Sequence, residues 1–238
     1  MAYRRLVAPA TLLSGDELTP ALVGIGVQLA AEPAADPNIE DTLMAASIEG
    51  MNCDDLRVLG LLVQWLGVHH PWVNADRLVR LVREQESRRV RAFWAACGRW
   101  LKKDRRLARL ARLYRGERAD VLPAGTAFQV RRHGEDPRFD GGPLRVPANV
   151  LRDRPADVLE PVGLAKRHRA YRWRVLIGPS YRADMWAALE AQPDLTASEL
   201  ARRTYGSFST AWQVKHDRQL LAAAPAIGDF MTPAQQPQ

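Results

Sequence analysis

The amino-acid sequence predicts a mainly α-helical chain, and three observations carry that expectation. Apolar residues recur at helical spacing through most of residues 1–118. That spacing disappears from 119 to 161, where prolines stand at 123, 137, 143, 147, 155 and 161. It returns after 178 in three short runs, each bounded by capping or turn residues. The expected organisation is therefore a helical domain over 1–118, a Pro/Gly-rich, irregular or β-containing connector over 119–177, a three-helix unit over 178–222, and a flexible tail over 223–238.

Thr19-Pro20 suits a helix start, and the helix through Ala31 should stop at the run AEPAADP. Asn38 or Asp41 can open a second helix, with Leu43, Met44 and Ala46 inward. Asn52–Asp54 can cap a third helix, whose Leu59, Leu62, Trp65 and Leu66 are apolar on more than one face, so it belongs at the centre of the domain. Adjacent His69 and His70 invite a metal reading, but no nearby Cys, His or acidic run completes a ligand set. Asn74 caps a helix with Leu78 and Val82 inward. After Ser87, the proline-free run 88–116 reads as one long helix. Val90, Phe93, Trp94, Cys97, Trp100 and Leu101 form its apolar face, and Lys102, Lys103, Arg105, Arg106, Arg109 and Arg112 line the other side.

In the connector, Thr126–Arg131 and Leu144–Leu151 look extended, with a turn at Asp140-Gly141 between them. Lys166 to Val175 is a second basic cluster containing Lys166, Arg167, Arg169, Arg172 and Arg174 beside His168. Arg172 and Arg174 alternate with Tyr171, Trp173 and Val175. That alternation suits an extended arm that contacts phosphates or a minor groove, or a strand through which two copies pair.

The last unit opens with Met185, Trp186 and Leu189 at helical spacing. Thr196 followed by Glu199 makes a capping box for the next helix, in which each side chain satisfies a backbone N–H of the other residue. Tyr205-Gly206 makes a turn, with Gly206 expected at positive φ. Ser207 or Ser209 then caps a helix through Leu221, with Trp212 anchoring it to its own core. Two short helices joined by a Gly-containing turn fit a helix-turn-helix.

The run LTASELARRTYGSFSTAWQVKHDRQL resembles helix 2–turn–helix 3 of bacterial winged-helix or ArsR-like regulators and of related antitoxin repressors. There a Leu-Thr-x-x-Glu-Leu-Ala-Arg run precedes the turn, and a Ser/Thr-rich run opens the recognition helix. The resemblance covers the C-terminal quarter, and no alternating hairpin for a wing follows Leu221. It implies that Leu195, Leu200 and Ala201 are core positions. Ser207, Ser209, Thr210, Gln213, Lys215, His216 and Arg218 would then form the helix presented to DNA, with a homodimer and a toxin protein as expected partners.

The formal charge of +7 is unevenly spread. Residues 1–52 carry a net −5, 53–118 a net +9, 119–179 a net +4, and 180–238 a net −1. The helix-turn-helix is thus nearly neutral, so most sequence-independent affinity for phosphates must come from elsewhere, with Lys102, Lys103, Arg105 and Arg106 as the first candidates. That basic face reads equally as a solvated surface partly paired with Asp104, or as a dock for the acidic N-terminal block.

Two cysteines, Cys53 and Cys97, are too few for a disulfide scaffold, and Leu56–Val68 is too short to span a bilayer. These features lead to the expectation of a cytoplasmic protein without membrane attachment. No His-Glu-x-x-His, Gly-x-Ser-x-Gly, Cys-x-x-Cys or phosphate-loop spacing is present, so no enzyme activity and no cofactor are expected. The expected function is transcriptional regulation on double-stranded DNA, as repressor or antitoxin of a toxin–antitoxin or defence operon. The alternative is a protein-interaction or assembly module built on the same unit.

Overall fold

A computed structural model describes residues 12–223; the expected flexible tail lies, apart from Ala223, outside the described residues. The fold is mainly α-helical, with one short two-stranded parallel sheet among the described residues. Helices α1 (Leu18–Gly24), α2 (Ile39–Asn52), α3 (Leu56–His69), α4 (Ala75–Glu84) and α5 (Arg88–Trp100) build the N-terminal core. Local side-chain chemistry sets most of the helix starts. Asn38 accepts from Asp41 N–H, Asp55 from Arg57 and Val58 N–H, Asn74 from Arg77 N–H, and Ser87 from Val90 N–H. Asp55, one residue beyond the expected cap, takes the α3 position.

As expected, α3 is central. Leu59, Leu62, Val63, Trp65 and Leu66 are buried, and Trp65 donates its indole N–H to Ile25 O at 2.7 Å. Trp94 of α5 likewise donates to Ser47 Oγ at 2.9 Å, so both large rings are buried with their polar atom satisfied. Cys97 is fully buried, and burial pushes its thiol far above the usual range, which suits a small packing residue.

The expected long helix over 88–116 is broken. After Trp100 the chain turns at 101–106, where Asp104 accepts from Arg106 N–H at 2.9 Å, and resumes as a 3-10 helix at Leu107–Leu113. This second piece packs back on α5. A Cβ at Gly98 would lie 2.7 Å from Ala111 N, so glycine permits the approach.

The connector also differs from expectation. Strands β1 (Ala119–Asp120) and β2 (Leu144–Arg145) pair in parallel, and 126–131 is helical, within α6 (Thr126–His133). The supposed arm over 166–175 is two helices, α7 (Pro161–Arg167) and α8 (Arg169–Ile177). His168 joins them, accepting from Tyr171 N–H at Nδ1 and donating from Nε2 to Pro37 O at 2.9 Å. Helices α9 (Tyr181–Ala191), α10 (Ala197–Arg203) and α11 (Phe208–Ala223) follow, around a separate small core. Among the described residues, no helix is long and apolar enough to cross a membrane.

Candidate nucleic-acid interface

The C-terminal unit is built from caps and a few apolar anchors. Ser180 caps α9 through Ala183 N–H. The capping box at α10 is complete: Thr196 Oγ1 accepts from Glu199 N–H at 3.2 Å, and Glu199 accepts from Thr196 N–H at 2.9 Å. Ser207, rather than Ser209, caps α11, accepting from Thr210 N–H at 3.1 Å. Met185, Leu189, Leu195, Leu200, Ala201, Ala211 and Val214 form the shared core. The expected inward positions Leu195, Leu200 and Ala201 are all buried.

The turn works differently from the sequence expectation. Tyr205, not Gly206, has the left-handed backbone, with φ of 56°. A Cβ at Gly206 would meet Met185 Cε, the end of a flexible side chain that would have to shift to admit it. Tyr205 is held in this uncommon conformation by tertiary contact: the Arg77 guanidinium lies 3.4 Å from its ring centroid.

Helix α11 buries Ala211 and Val214 and turns Ser209, Trp212, Gln213 and His216 outward. Trp212 is 56% exposed and stacks on His216, with ring centroids 5.5 Å apart, so it does not anchor the helix to its own core. Leu220 and Leu221 near the end of α11 are exposed as well. Ser207 Oγ lies 2.6 Å from Thr210 Oγ1 and 3.0 Å from Ser209 Oγ, which ties the three hydroxyls into the cap. Gln213 donates to Asp217 at 2.9 Å, and Asp217 also accepts from Arg182 at 2.6 Å.

Several expected DNA contacts are engaged inside the protein. Arg218 donates to Leu189 O at 2.7 Å, and Lys215 donates to Leu195 O. Leu189 lies in the last turn of α9, whose carbonyls lack helical partners, so Arg218 closes that helix end. Arg169 pairs with Asp36, Arg172 with Glu190, and Arg106 with Asp104. Lys166, Arg167, Lys102, Lys103 and Arg105 are exposed and make no ion pair among the described residues. Arg202 and Arg203 at the end of α10 are exposed as well, with Arg203 donating to Gln192. Their place beside the turn is legible in the sequence, as the last two residues of the run that the Thr196–Glu199 box opens.

Arg174 departs furthest from its expected role. Its side chain is 1% exposed, and it bonds two buried carboxylates at once. Nε and the two terminal nitrogens donate to Asp184 at 2.7 and 3.1 Å and to Glu40 at 2.7 and 2.8 Å. Asn74 N–H adds a bond to Glu40 at 2.8 Å. Burial opposes the charge on Arg174, but the Asp184 and Glu40 carboxylates outweigh it and raise its pKa. Beside this cluster Arg77 pairs with Asp41, whose carboxyl burial raises despite the guanidinium. One ionic cluster thus ties α2 and α4 to α8 and α9.

No protein family, curated protein or solved structure matches the chain. The chemistry of the surface therefore has to carry the functional reading. Among the described residues, no group of three or more His, Cys, Asp or Glu side chains is placed to hold a metal ion. His69 is buried, accepting from the Tyr171 hydroxyl at Nδ1 (2.8 Å) and donating from Nε2 to Leu159 O (2.9 Å).

Proposed function

We propose that the chain binds double-stranded DNA through α11 and acts stoichiometrically as a transcriptional regulator. The observation that supports this most is the outward row Ser209, Gln213 and His216, displayed by a helix whose opposite side is fixed through Ala211 and Val214. A 16-residue helix is about 24 Å long, and a major groove about 12 Å wide admits it. Gln213 is suited to a bidentate pair with adenine, once its amide leaves Asp217. Arg202 and Arg203 flank the turn and are exposed, so they replace the half-buried Lys215 and Arg218 as the nearest candidates for phosphate contact. A pair of copies on a palindromic site completes this reading. The roles of repressor and antitoxin, and the toxin partner, rest on the family resemblance alone.

A second reading has its own observation. Phe208 and Trp212 are 49% and 56% exposed on the same helix, and large exposed apolar groups also suit a protein partner. Band-shift titration separates the two, using duplex from upstream of the protein's own gene with unrelated duplex in excess. DNA reading predicts that Gln213→Ala weakens the preferred duplex by about 1–3 kcal/mol and leaves scrambled duplex nearly unaffected. If no duplex is retarded above background, the DNA reading fails and the protein-binding one replaces it.

A further inference from the structure

A different surface stands out on the two helices that precede the C-terminal unit. Helices α7 and α8 enclose an open groove of about 600 Å³ with Trp72 beneath it. Pro161 and Val162, with Ala165 one turn further along α7, line one side, and Val175 lines the other. Val162 is 68% exposed and Val175 47%, and Leu176, next along α8, is 65% exposed. Lys166 stands at the edge of the groove with Arg167 beside it, both exposed and without an ion pair among the described residues. Arg172, also at the edge, is neutralised by Glu190. The one carboxylate adjoining α7 in sequence is Glu160, at the opposite end of the helix.

We propose that this groove receives an amphipathic helix of a partner protein, with acidic residues beside its apolar stripe. The apolar walls select the occupant's stripe. A trough between two helices accepts side chains spaced i, i+3, i+4 and i+7 on a third. The unpaired cations at one end select its charge and its direction. A nucleic-acid backbone would use Lys166 and Arg167 but gain little from Val162, Val175 and Leu176. A second copy docked through the same patch would offer Lys166 and Arg167 one adjoining carboxylate, Glu160, a poorer charge match than a helix with several acidic residues. The opposite side of α8 carries Arg174 into the ionic cluster, so an occupant would load the same helix that seats the C-terminal unit.

The test uses the full chain and a displayed library of 16-residue helices with randomised faces. Selection is run against wild type, with counter-selection against Val162→Asp/Val175→Asp. Both substituted residues are exposed, and an unchanged melting midpoint verifies the variant's fold. Enriched peptides should show apolar residues at helical spacing flanked by Asp or Glu. A synthesised winner should lose at least tenfold in affinity on Val162→Asp/Val175→Asp and severalfold on Lys166→Glu/Arg167→Glu. The proposal is overturned by no enrichment over the counter-selection, by winners with basic flanks or no helical period, or by binding that the substitutions leave unchanged. Wild-type binding to anionic vesicles that the Asp pair abolishes would make it a membrane site. A dimer in sedimentation that the same pair dissociates would make the occupant a second copy. Either result would also overturn it.

Discussion

Replacing Arg174 with Met removes the cation that two buried carboxylates share. Glu40 is fully buried and Asp184 is 7% exposed, so neither regains much water when the guanidinium is lost. What remains around them is the Asn74 backbone N–H at 2.8 Å from Glu40 and the Asn74 amide at 3.4 Å from Asp184. These two donors cannot replace four charge-assisted bonds. Breaking a buried ion pair from one side costs about 3–5 kcal/mol, because a charge is left uncompensated. For a chain of this length that corresponds to a drop of roughly 6–20 °C in melting midpoint. The triple variant Arg174→Met/Glu40→Gln/Asp184→Asn removes all three charges and should recover at least half of the loss. Calorimetry on the three proteins measures the midpoints, and amide exchange locates the damage. Exchange should quicken first in α9–α11, because the cluster joins them to α2 and α4. A midpoint for Arg174→Met within about 2 °C of wild type would refute the reasoning, as would a triple variant less stable than the single one.

Stability should also fall as pH drops from about 6.5 to about 4. Burial lowers the His69 pKa from 6.5 to about 4, so the folded state holds fewer protons than the unfolded one across that window. The His69 contribution is fully present above 6.5 and is lost on acidification, amounting to about 3 kcal/mol. Burial lowers His168 in the same direction. Denaturant titrations of wild type and His69→Gln at several pH values should show a shallower acid loss in the variant, and parallel curves would count against it. Gly206→Val in the full chain should lower the melting midpoint, since the added side chain must displace the end of Met185, which is fully buried in the small core; an unchanged midpoint would mean that Met185 repacks freely. If α11 binds DNA, Arg202→Gln/Arg203→Gln should lower the salt slope of binding by up to about two units, and an unaltered slope would remove both residues from the phosphate contacts.

The sequence was most legible where the determining interaction is local. The Thr196–Glu199 box, Asn74 and Ser87 were each readable as helix starts, because a cap needs only a side chain and an N–H within about three residues. The central place of α3 was readable too, since its apolar residues exceed one face. Legibility failed where distant partners decide. Arg172 and Arg174 alternate with aromatics in sequence, which mimics a strand. In the helix that forms, Tyr171 and Arg174 are three apart and both point inward, the tyrosine to His69 and the arginine to Glu40. Glu40 lies 134 residues away, so no local pattern reports it. The break after Trp100 left only the faint signals of Gly98 and Asp104. Tyr205 in a left-handed conformation was not readable either. Glycine next to it offers the obvious alternative, and the Arg77 contact that accompanies the choice comes from α4.

The distribution of charge now has a physical division of roles. The basic residues of α8 lie on a helix rather than an extended arm: Arg169, Arg172 and Arg174 each meet a carboxylate, and the most buried of them closes the junction beneath the C-terminal unit. Lys215 and Arg218 likewise bond to backbone carbonyls around the end of α9. Cations bound in this way fix α11 in place, and an outward row of neutral polar side chains can read base edges only if the helix that carries it is held rigidly. On that reading, specificity belongs to Gln213 and its neighbours. Non-specific affinity must then come from cations that remain in solvent: Arg202 and Arg203 nearby, Lys166 and Arg167 at the end of α7, and Lys102, Lys103 and Arg105 on the turn after α5. Selective loss on Gln213→Ala combined with a reduced slope on Arg202→Gln/Arg203→Gln is the pattern this division requires. A protein-binding α11 would instead be weakened by Phe208→Ala and Trp212→Ala, with little dependence on salt.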